Sequence, residues 1–167
     1  MVQCCLQFLE RAMGPVKKKL GTQDRLFNPH PGILFLLCSA QIETHDHLFF
    51  ECPLSKKVWS KVQRKGNFQV PLLPWEDLVS WLSFRWKGNS FSMKVKKLSL
   101  AVLVYSLWKE RNCRYHNNST RRPEEILISV IEEIRFKLST YRRVEDNVGN
   151  RSCQQRWNLP DVIFSSS

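Results

Sequence analysis

The sequence predicts a mainly α-helical protein, a bundle of about four helices with one small Cys/His segment packed on it. Three observations lead there. Apolar residues recur at helical spacing over long stretches, as in Leu127, Val130, Ile131, Ile134 and Leu138. Prolines stand at helix starts, at Pro53, Pro74 and Pro123, where the missing N–H costs nothing. Residues 38–59 also gather Cys38, His47 and Cys52 at close spacing in a chain otherwise poor in chemical signatures.

Composition bounds the rest. The 167 residues, 43% hydrophobic and 25% charged, suit one domain with a true core and exclude wholesale disorder. With 26 Lys+Arg against 15 Asp+Glu and a formal charge of +11, the surface is basic, and polyanions are its natural partners: RNA or DNA first, an acidic membrane surface second. The six cysteines are scattered, Cys4 beside Cys5 and Cys113 and Cys153 alone, which suits thiols in a reducing compartment better than a disulfide framework. Gln3, Gln7 and Glu10 interrupt any signal-peptide core. The most apolar run, Leu98 to Trp108, falls short of the ~20 residues that span a bilayer. The expectation is a soluble intracellular protein, nuclear or cytoplasmic, not secreted and without a membrane partner.

In order along the chain, Leu6, Leu9 and Met13 give a short amphipathic piece that ends at Gly14-Pro15 before Lys17–Lys19. Thr22 caps a short helix, and Asn28-Pro-His-Pro-Gly32 forbids regular structure. Ile33–Leu37 is either a short buried strand or an apolar loop. Thr44 is placed to cap a short helix carrying His47 to Phe50. Pro53–Lys65 forms the next, with Leu54, Val58, Trp59 and Val62 facing a core and Lys56, Lys57, Lys61, Arg64 and Lys65 elsewhere. A helix opens at Pro74 with Glu76 and Asp77, and a polar loop, Trp86–Ser90, follows it. A long helix from about Ser92 to Asn112 is apolar almost all round in its middle, as befits the centre of a bundle. The helix begun by Pro123-Glu-Glu ends near Arg142-Arg143, and beyond residue 144 the chain turns polar, with Trp157, Leu159, Val162, Ile163 and Phe164 as its only docking residues.

The chemistry concentrates at the Cys/His segment. Zinc is held by thiolate and imidazole in a closed tetrahedral shell, so Cys38, His47 and Cys52 supply three of four donors. Phe35 occupies the place where a Cys-x2-Cys pair would put the first thiolate. A water, His45 or His30 could complete the shell. The aspartates are isolated and no His-Glu-x-x-His occurs, so the expectation is no enzyme and no small-molecule substrate. Most aromatics at helical spacing belong to a core; Trp86, in a polar loop beside Lys87, is the one expected to lie open for stacking on a base.

The stretches Thr22-Gln-Asp-Arg-Leu26, Cys38 to Thr44, His47-Leu-Phe-Phe50, Cys52-Pro-Leu-Ser55 and Val58-Trp59 resemble the zinc-binding domain that lies downstream of the reverse transcriptase in plant non-LTR (LINE-type) retrotransposons. Leu107-Trp-Lys-Glu-Arg-Asn112, followed by a Pro-Glu-Glu helix, looks like the helical tail that trails that domain. The resemblance covers roughly residues 19 to 140. It implies a Cys-x2-Cys and His-x4-Cys shell in which Cys38, His47 and Cys52 are the second to fourth ligands and Phe35 replaces the first. Zinc is then held weakly or not at all. The organisation it implies is an unmatched segment 1–18, a knuckle-bearing domain 19–66, a helical tail 67–143 and a polar, partly disordered end 144–167. The function it implies is a non-enzymatic nucleic-acid-binding module with a degraded zinc site, gripping RNA or DNA through Lys56, Lys57, Lys61, Arg64 and Lys65. The alternative is a structural or interaction remnant of a degenerate retroelement gene with no dedicated ligand.

Overall fold

In the computed structural model, residues 37–38, 46–117 and 119–164 are described. Among them the chain is mainly helical and contains no strand. The expectations for residues 1–36, including Phe35 and His30, and for Thr44 and His45 lie outside the described residues. Among the described residues a π-helical turn, His47–Glu51, precedes five α-helices: α1 (Pro53–Gly66), α2 (Trp75–Arg85), α3 (Phe91–Asn117), α4 (Pro123–Ser139) and α5 (Val148–Trp157). A 3-10 turn, Asp161–Phe164, closes the described chain.

Helix α1 is the hub, packing on the π turn, α3, α4 and α5, while α3 also packs on α4 and α5. Its start follows from Cys52-Pro53. A residue before proline is driven out of the helical region, and Cys52 is extended (φ −57°, ψ 129°) while Pro53 takes the first helical turn. Its end is a left-handed cap at Asn67 (φ 51°), with the Phe68 N–H donating to the Gln63 carbonyl at 3.1 Å, the six-to-one bond of a Schellman closure. Gly66 is required there, because a Cβ would fall onto the Phe68 ring, 2.6 Å from Cδ1.

The long helix has the central burial expected of it. Leu100, Ala101, Val102, Leu103, Val104 and Leu107 are all buried, although the helix runs from Phe91 to Asn117, beyond both expected ends. Helix α4 buries Ile126, Val130, Ile134 and Leu138; Ile126 was absent from the expected stripe, whose Leu127 and Ile131 are only partly buried. The Glu125 carboxylate reaches back to accept from the Arg122 N–H at 2.8 Å, satisfying a donor that the helix start leaves open.

The stretch after residue 144 forms α5 and the closing turn: Asn147 accepts from the Asn150 N–H at 2.9 Å to cap α5, and Cys153, Trp157, Leu159 and Ile163 are buried in the common core. Trp157, Leu159 and Ile163 are among the residues expected to dock, while the buried face of α5 itself is Cys153 and Trp157. One expectation is corrected: Trp86 is not open for stacking. It is buried against the rings of Phe68 (centroids 5.8 Å apart) and Trp81 (6.4 Å), and its N–H donates to the Leu82 carbonyl at 2.8 Å, so that it closes the last turn of α2 instead of standing in an open loop. No helix among the described residues is long and apolar enough to cross a membrane.

Candidate metal centre and the cationic face of α1

The turn that carries His47 is wound wider than an α-helix: the Cys52 N–H donates to the His47 carbonyl at 2.8 Å, five residues back. On an α-helix residues five apart point about 140° away from each other. Closing the ring at five residues instead brings Cys52 back over His47. The wider turn leaves carbonyls to be satisfied from outside, and α1 does so. Ser55 Oγ donates to the Leu48 carbonyl and Trp59 Nε1 to the Phe49 carbonyl, each at 2.6 Å and buried. The Cys-Pro-x-Ser and Val-Trp residues of the sequence therefore serve to brace the turn that presents the ligands.

Cys38, His47 and Cys52 converge as expected. One ligand atom from each lies within 4.8 Å of the others, and the group could hold a metal ion. Cys38 Sγ is 3.1 Å from His47 Nε2; a tetrahedral zinc would set such a sulfur–nitrogen edge at about 3.6 Å, a shift of about half an ångström. His47 and Cys52 are buried and Cys38 is partly so. Burial pushes the Cys52 thiol up, aided by the nearby Cys38, against lowering bonds from the Ser55 and Leu54 backbone. A metal ion bound by that sulfur would displace its proton to solvent. Two sulfurs and one imidazole nitrogen are the donor set zinc favours. The other ring nitrogen, His47 Nδ1, lies 3.9 Å from Glu51 Oε2. That is the side on which a carboxylate orients a ligating imidazole.

Of the five cations assigned to nucleic acid, Lys56, Lys57, Lys61 and Arg64 are exposed on the outer face of α1, opposite Leu54, Val58, Trp59 and Val62. Two of the five are engaged internally. Lys57 Nζ is 2.5 Å from Glu124 Oε1. Lys65 Nζ donates to the Arg156 carbonyl at 3.0 Å and lies 5.5 Å from the centre of the Trp157 ring, a cation placed at the C-terminus of α5 where the helix dipole favours it.

Sequence reasoning missed a third group. Glu110 is buried on α3, its carboxylate accepting from Arg114 Nε (2.9 Å), Arg121 Nε (2.7 Å) and the Arg121 backbone N–H (3.0 Å). Burial works to raise its pKa, but the Arg121 N–H and the two guanidinium groups outweigh it and hold the carboxyl below its usual range. The signal was present: Leu100, Leu103 and Leu107 form a buried stripe, and Glu110 is its next member. Arg121 is thereby engaged inside the protein although its side chain is 36% exposed.

No protein-family model, curated protein or solved structure matches this chain.

Proposed function

We propose that this chain is a non-enzymatic nucleic-acid-binding module, of the kind that follows the reverse transcriptase in non-LTR retrotransposons, with a metal site lacking one ligand. The observation that carries the reading is the convergence of Cys38, His47 and Cys52 at the start of the helix whose outer face is cationic. A structural metal there would fix the π turn and hence α1, presenting Lys56, Lys61 and Arg64 to phosphate; no chemistry is asked of it. Phosphate contact of this sort gives affinity without sequence preference.

Two measurements test it. Single-stranded RNA or DNA binding should weaken with salt, and neutralising Lys56, Lys61 and Arg64 to Gln should reduce the slope of log K against log salt by about 2, at ~0.7 per phosphate contact. An unchanged slope removes α1 from the interface. Zinc per chain, compared between the parent and Phe35→Cys, should rise to one tightly held ion only in the variant; full occupancy in the parent contradicts a missing ligand. The second reading, a structural or interaction remnant without a dedicated ligand, is favoured by Lys57 and Lys65 being bonded within the protein. It expects no salt-dependent binding beyond that of any protein of equal charge.

A further inference from the structure

Arg114 spends its three nitrogens on three different acceptors. Nε donates to Glu110 Oε1 at 2.9 Å, Nη2 to the Arg121 carbonyl at 2.9 Å, and Nη1 to the Leu37 carbonyl at 3.0 Å. The last is 77 residues away in sequence and belongs to the residue immediately before Cys38. Glu110, fully buried, also holds Arg121 through side chain and backbone. One carboxylate thus fixes two arginines, and one of those arginines fixes the backbone beside a candidate metal ligand. The link is selective, because His47 and Cys52 share one turn braced by Ser55 and Trp59, whereas Cys38 comes from a different part of the chain. A rigid fork with donors at set angles is what a guanidinium supplies and an ammonium does not.

We propose that Arg114, locked by Glu110, is a positioning residue that tethers Leu37–Cys38 to α3 and thereby holds the Cys38 sulfur against His47 and Cys52. The tether rests on the reading of those three residues as a metal group, and its test separates the two. Arg114→Lys keeps a positive charge beside Glu110, but its three N–H groups radiate from one nitrogen and cannot reach acceptors spread around the edge of a planar guanidinium. In the reduced, chelator-treated full chain, alkylation by iodoacetamide is followed cysteine by cysteine by peptide mass spectrometry, and cobalt(II) is then titrated into the parent and the variant while thiolate–cobalt absorbance is recorded.

The expected result is several-fold faster alkylation of Cys38 in Arg114→Lys with that of buried Cys153 unchanged. Cobalt affinity should fall by about 10- to 100-fold, as on loss of a group that orients a metal ligand. An unchanged Cys38 rate overturns the tether, and so does equal acceleration of Cys38 and Cys153, which reports general loosening. Selective acceleration with no cobalt absorbance in either protein leaves the tether standing and retires the metal reading. Glu110→Gln, which keeps the side chain's shape, is run beside it and should move both readouts in the same direction by less, so that the comparison survives if Arg114→Lys loses its helical circular dichroism.

Discussion

Replacing Glu110 by alanine is expected to cost about 3 kcal/mol of folding stability, the low end of the roughly 3–5 kcal/mol lost when one member of a buried ion pair is removed. The structure sets the position in that range. The Arg114 side chain is only 10% exposed and would lose the buried carboxylate that accepts from its Nε at 2.9 Å. Arg121, at 36% exposure, can turn to water and adds less. For a chain of this size the loss corresponds to a fall in Tm of roughly 6–12 °C. The pH dependence gives a second check. The carboxyl is held below its usual range in the folded state, so its contribution is fully present above the unfolded value of about 4.3 and is lost as pH falls through the folded value. The variant should therefore show a shallower loss of stability in acid than the parent. Urea unfolding followed by tryptophan fluorescence between pH 7 and pH 3, with an unchanged m-value, measures both effects. A loss under about 1 kcal/mol, typical of an exposed pair, or an identical acid limb in the two proteins would refute the network as described.

Trp59→Phe should cost about 1–3 kcal/mol, because it leaves the buried Phe49 carbonyl without its donor; chemical denaturation reads this, and a neutral effect would mean the π turn needs no brace. Truncation after Val144 removes Trp157, Leu159 and Ile163 from the core, roughly 5–9 kcal/mol at ~1.5–3 kcal/mol each. Against a total of about 5–15 kcal/mol this should abolish a cooperative melt; a sharp transition near that of the parent would show the C-terminal helix to be dispensable. Gly66→Ala should cost about 1–3 kcal/mol through the clash with the Phe68 ring, and a stabilised variant would show that the ring shifts freely.

Periodicity made α1 legible almost to the residue and fixed the start of α4, because a single apolar face and a proline at the first turn are local signals that tertiary packing had only to accept. The convergence of Cys38, His47 and Cys52 was legible from spacing, but the means was not. Nothing in His47-Leu-Phe-Phe-Glu51 announces an i-to-i+5 closure; it depends on donors from Ser55 and Trp59, which become neighbours only once α1 has packed. Trp86 was misjudged because its sequence neighbours are polar while its spatial neighbours, Phe68 and Trp81, are aromatic. The helix Val148–Trp157 was not foreseen for a related reason: a cap at Asn147 and a buried face of two residues, Cys153 and Trp157, leave little trace in average composition. The charge count of α1 was correct as arithmetic. It could not reveal that Lys57 pairs with Glu124 at the surface and that Lys65 donates to the Arg156 carbonyl.

The hub role of α1 has a consequence for how the chain is made. The helix is complete at Gly66, but its neighbours α3, α4 and α5 follow over the next hundred or so residues, and Lys65 waits 91 positions for the Arg156 carbonyl. Arg114 itself follows Gly66 by 48 positions, which at a synthesis rate of roughly 5–20 residues per second is about 2–10 s, and through that time Cys38, His47 and Cys52 have been made while Arg114 has not. For that span the π turn that carries His47 lacks the long helix it packs against in the finished fold.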